Sequence, residues 1–238
     1  MLVGQSNVII LCMEKEKVFK RTYQNMKALH QGNIDCHDDF KQYTWELKQY
    51  WFDGYENESP EYSGRIFLHA NCRYEMFFDS LKKNIDEYMK HLNVDHEKLS
   101  YFISKSWVGY HDKETPGLNV HNHNEANISF VYYLKSTDKS DKFCITQHTN
   151  SNENTGALFQ TGQRNLLTTF NKYNCNNYTI TPTEGTVLLF PSDTLHSTIK
   201  SEDNEERIVI AGDVRVTLKP EYSNYHQACT HPTLWLEL

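Results

Sequence analysis

The chain has 238 residues, a formal charge of −7 and 13% aromatic residues. That length suits one domain with elaborations and buries a core without disulfide or metal staples. The acidic balance disfavours non-specific binding to nucleic acid or anionic membranes, which relies on basic patches and released counterions. The aromatic content disfavours disorder.

Cys12, Cys36, Cys72, Cys144, Cys175 and Cys229 are scattered, with no Cys-x-x-Cys pair. Neither a zinc ribbon nor a secreted disulfide scaffold is supported. The apolar run Val8 to Met13 is too short to cross a bilayer and lacks signal-peptide flanks. A reduced, cytoplasmic setting without membrane contact is expected. In that setting the glycosylation-like triplets at Asn127 and Asn177 are chance matches.

In chain order, a short strand is expected at Asn7 to Met13. A helix follows from Asp38 to Phe52, because Phe40, Tyr43, Leu47 and Tyr50-Trp51 recur every three or four residues. Polar residues and Pro60 make Glu56 to Gly64 a loop. A second helix spans Arg73 to Leu92, with Phe77, Leu81, Ile85, Tyr88 and Leu92 on its buried side. From Tyr101 onward, short β-branched and aromatic runs alternate with turn residues. Strands are expected at 101–108, 128–135, 142–147, 165–170, 178–181, 186–190, 196–199 and 207–218. Asp138 to Asp141 and Thr149 to Thr155 read as mobile surface loops. The organisation is one structural domain: a mainly helical supporting region (1–100), then a jelly-roll-like β-core with a C-terminal tail (101–238). The tail, with Trp235 near its end, docks on the domain or on a partner.

Two segments carry chemistry. His121 and His123 sit two apart in the extended stretch before Ile128, so both imidazoles point the same way and can share one metal. Glu125 continues that alternation and is the alternative third ligand. In the second segment, a turn at Glu184-Gly185 launches an apolar strand that Pro191 ends, and His196 lies just beyond. Arg207 follows eleven positions later at the start of another apolar strand. The bland alternative, polar residues capping strand ends, leaves two separated histidine segments and a positioned arginine unexplained. His30, His69, His91, His148 and His226 receive no functional role. Trp107 reads as core or pocket wall. Asp193 and Asp213 read as turn or surface carboxylates that could also orient a ligand.

These residues form a pattern. A His-x-(Asp/Glu) pair, a distant His and an Arg about ten residues after it are the signature of 2-oxoglutarate/Fe(II) oxygenases. Over Ser106 to Asp213 the chain more closely resembles a phage and marine-bacterial subgroup whose first motif is His-x-His. The resemblance implies an α+β, mainly β fold: a double-stranded β-helix, or jelly roll, with supporting N-terminal helices. It implies an Fe(II)-, 2-oxoglutarate- and O2-dependent dioxygenase that hydroxylates a C–H bond of a small-molecule or peptidyl substrate, releasing succinate and CO2. His121 and His196 match the ligating histidines, and His123 matches the position usually held by the acid. Arg207 matches the residue that pairs with the distal carboxylate of 2-oxoglutarate. Iron chemistry needs such a one-sided ligand set with open positions, and arginine offers a planar fork for a carboxylate.

Tyr132 or Tyr133 could add a hydrogen bond to the co-substrate, and alternation allows only one of them to face the pocket. Arg215 is a lower-ranked anchor. The chain departs from the family in His123 itself, in lacking a hydroxyl residue at Val209, and in lacking a glycine within Lys142 to Ile145. Two other readings stand beside it: a cupin-like three-histidine iron dioxygenase without 2-oxoglutarate, and a non-catalytic jelly-roll binding module.

Overall fold

The computed structural model describes residues 28–34, 38–47, 67–115, 117–146, 177–200, 205–223 and 230–237. The expected strands at 7–13 and 165–170, the loops at 56–64 and 149–155, and the far end of the first helix lie outside them.

Among the described residues, two α-helices precede most of the sheet. Helix α1 (Asp38–Glu46) buries Phe40, and helix α2 (Glu75–His91) buries Phe77, Leu81, Ile85 and Tyr88, the expected stripe at helical spacing. Leu92 is only partly buried, and α2 ends as Asn93 turns left-handed at φ 57°. Strand β1 (His30–Asn33) was not expected, since His-Gln-Gly-Asn has no apolar alternation. Tertiary contact creates it: β1 pairs with β6 and lies under α2, so closely that a Cβ on Gly32 would meet Asn84 Oδ1 at 1.9 Å.

The remaining strands among the described residues are β2 (Leu99–His111), β3 (Ile128–Lys135), β4 (Lys142–Thr146), β5 (Asn177–Ile180), β6 (Thr186–Pro191), β7 (His196–Ile199) and β8 (Arg207–Leu218). They form two antiparallel sheets, in the orders β1-β6-β3-β8-β2 and β5-β4-β7. The expected turn before β6 is present, with Gly185 at φ 83° where a side chain would be strained.

Strand alternation divides the large sheet into two surfaces. Val108, Tyr110, Phe130, Tyr132, Ile208 and Ile210 face the helices, in one cluster with Phe77 and Leu81. On the other surface, Tyr133, Val209 and Phe190 pack against Phe143 and Ile145 of the small sheet. The segment 138–141 is only in part the surface loop expected from its sequence: Asp138 and Lys139 are exposed, whereas Ser140 and Asp141 are buried. The tail reaches back to β2, where His231 meets the Phe102 ring edge-on at 5.2 Å, while Trp235 stays exposed.

Phe77 joins the helical layer to the sheet, touching Phe40, Phe78, Phe130 and Tyr132. Phe77→Ala is expected to lower unfolding free energy by about 3–5 kcal/mol, read from urea denaturation midpoints.

Candidate active site

A cleft of about 540 Å³, including its mouth, opens between the two sheets. Its wall on the large sheet is set by alternation: Trp107, Gly109 and His111 from β2, and Ser129, Val131 and Tyr133 from β3. Arg207, Val209 and Ala211 continue it from β8. Phe143 of β4 and His196 of β7 line the facing side.

At one end, His121, His123 and His196 come together, with one ring nitrogen from each lying within 4.8 Å of the others. Backbone pairing does this. His121 and His196 exchange both amide bonds at 2.9 Å, and His123 N donates to Ser192 O at 2.8 Å. Each Nδ1 has an oxygen acceptor: Asn119 O at 2.7 Å for His121, Thr194 O at 2.9 Å for His196, and Asp213 Oδ1 at 2.6 Å for His123. A carbonyl only accepts, so Nδ1 of His121 and His196 carries the proton and Nε2 keeps its lone pair. Burial pushes His196 down to about 4, against the opposing bond to Thr194. It is therefore neutral and able to ligate at physiological pH. The donor set fits a divalent transition metal.

Glu125 lies outside this group; it pairs with Lys105 at 3.0 Å with its side chain largely exposed. Asp213 is not a turn or surface carboxylate. It sits within β8, 5% exposed, and also accepts from Ser129 Oγ at 2.8 Å. Burial pushes its carboxyl up, but the bonds from His123 and Ser129 and the nearby Lys105 ammonium prevail and hold it low. Asp193 is exposed in the turn after β6, as expected.

Arg207 lines the same cleft, six residues before Asp213 on the same face of β8. It is 2% exposed; Nη1 donates to Asp141 O at 3.2 Å, and Nε has no partner. A buried guanidinium that lines a cavity and keeps an unmet donor is suited to an anion. Tyr133 faces this pocket, whereas Tyr132 turns to the helical side, 3.4 Å from Ile34 O. Arg215 is exposed on β8 and lines no part of the cleft. Trp107 is pocket wall, its ring 5.9 Å from that of His123.

His111 was missed by sequence reasoning. It pairs in register with Arg207, is buried, and has an Nδ1 without a partner. Its position at the end of a long strand, on the same alternation as Trp107, is the signal that could have found it.

The family model described as "Putative 2OG-Fe(II) oxygenase" matches residues 105–213, the span that holds every one of these groups. Residues 105–213 are thus similar to a 2OG-Fe(II) oxygenase domain. The fold has solved counterparts. EvdMO1 superposes with a TM-score of 0.52 at 10% identity, over 80% of this chain and 48% of that one. The nickel complex of the non-heme monooxygenase ThoJ gives 0.50 at 9% identity, over 83% and 75%. A Pseudomonas putida prolyl-4-hydroxylase gives 0.47 at 11% identity, over 79% and 88%. No curated protein matches the sequence. Among the described residues, no helix is long and apolar enough to cross a membrane.

Burial, and then the Arg207 charge, push His111 down to about 4 from an ordinary 6.5. The unfolded chain therefore takes up this proton first as pH falls, so stability is fully present above pH 6.5 and lost towards pH 4. His111→Asn is expected to flatten that loss, measured as denaturant midpoints across this pH range.

Proposed function

We propose that the chain holds Fe(II) through His121, His123 and His196 and 2-oxoglutarate through Arg207, and hydroxylates a C–H bond of a small-molecule or peptidyl substrate. The observation that carries this is Arg207: a buried cation with an unmet donor, in the same cleft as a three-imidazole cluster. A metal site alone would not need it. When bound, iron with 2-oxoglutarate and O2 supplies the oxidising chemistry and yields succinate and CO2.

The chain's own residues bind and position. The three imidazoles leave one side of the cluster open to the cleft. Arg207 grips the distal carboxylate, with the His111 ring and the Tyr133 side chain beside it as further hydrogen-bonding groups. Burial raises the Tyr133 phenol, keeping it protonated as a donor. Phe143 and Phe190 pack against the His196 ring at 5.5 and 4.9 Å and shield it from water. The formal charge of −7 supports a substrate other than nucleic acid, and the scattered cysteines support a cytoplasmic setting.

The all-imidazole donor set is the one feature that favours a three-histidine dioxygenase independent of 2-oxoglutarate. Succinate formation separates the two readings: the leading one requires it and the other forbids it. Arg207→Ala is expected to weaken 2-oxoglutarate binding by about 2–5 kcal/mol, measured calorimetrically on the metal-loaded protein, with metal affinity unchanged. Equal 2-oxoglutarate affinity in wild type and variant would remove Arg207 from this role.

A further inference from the structure

We propose that Asp213 supplies, through His123, the negative charge that a carboxylate ligand would otherwise bring to the metal, so that His123 and Asp213 act as one anionic ligand unit. This rests on the three-histidine reading above.

The three imidazoles are not equivalent. His121 and His196 direct Nδ1–H at neutral backbone carbonyls, whereas His123 directs it at a carboxylate. At 2.6 Å that contact has the short length of a charge-assisted bond. Asp213 is buried, and Lys105, its partner in register, sends its ammonium to Glu125 instead. Ser129 holds the same Oδ1 and also meets Ser192 Oγ at 3.0 Å, which fixes the carboxylate. The backbone beside it is equally constrained: a Cβ on Gly212 would meet Lys105 O at 2.4 Å and the Phe130 ring at 2.6 Å.

A carboxylate on the far nitrogen of an imidazole orients the ring and makes the ligating nitrogen more basic. Three neutral imidazoles would leave a divalent ion's charge uncompensated in a largely apolar cleft. Asp213 restores an anion on the far side of the His123 ring. Asp213 is thus a positioning residue, acting through His123.

The test is Co(II) titration of the metal-free protein, followed by ligand-field absorption, in four proteins: wild type, Asp213→Asn, His123→Asp and the double variant. Asp213→Asn is expected to weaken Co(II) about 10- to 100-fold. In the His123→Asp background the same change is expected to strengthen it, because two adjacent buried carboxylates repel. A merely structural Asp213 would act with the same sign in both backgrounds, and that result, or no weakening in the first, overturns the proposal. Proton NMR of the Zn(II)-loaded wild type needs no variant: the His123 Nδ1 proton is expected downfield of those of His121 and His196, and its absence there is equally decisive against. If His196→Ala leaves Co(II) affinity unchanged, the three-histidine site fails and takes this proposal with it. If His196→Ala abolishes binding while Asp213→Asn does nothing, only the role of Asp213 fails.

Discussion

The site depends on one antiparallel bridge. His121 and His196, seventy-five residues apart, exchange two backbone hydrogen bonds of 2.9 Å. That pairing lays the 118–123 segment along the edge of β7, with Leu118 and Thr198 bonded further along. It places two imidazoles 4.3 Å apart between ring centres. His123 then follows from the two-residue repeat of an extended chain, and its amide is held by Ser192. Without the bridge, His121 and His123 would be a surface pair and His196 a buried histidine with no shared ion.

The large sheet serves two purposes because its strands alternate. One surface closes a core with α1 and α2; the other is a cleft wall bearing Trp107, His111, Ser129, Tyr133 and Arg207, with Asp213 bonded behind His123 and Ser129. A slip of one residue in β8 would exchange Arg207 for Ile208 and Asp213 for Val214, emptying the cleft of charge and burying charge beneath the helices. Packing of the helices therefore protects the register, and the register sets the chemistry. The tight approach at Gly212 fixes the same strand from the opposite side.

Electrostatics divide the cleft along β8. At the histidine end a buried anion, Asp213, stands behind imidazoles, one of which is held neutral by burial. At the other end a buried cation, Arg207, stands beside a neutral His111 and a protonated Tyr133. One end is built for a positive ion, the other for a negative group. A ligand that is bidentate towards a metal and ends in a carboxylate meets both demands.

Local sequence determined a good deal. The helical stripe of α2, the strands β3, β7 and β8, the turn at Gly185, and the pairing of two histidine segments with Arg207 all rest on periodicity, turn chemistry and residue type. These are properties of neighbours along the chain. Only the tertiary structure decided which of Tyr132 and Tyr133 faces the cleft, that Glu125 turns to Lys105, and that Asp213 backs His123. It alone revealed β1, the burial of Asp141 and the presence of His111. Those outcomes depend on which strand lies beside which and in what register, and a pairing across ninety residues leaves no periodic trace in the chain that makes it.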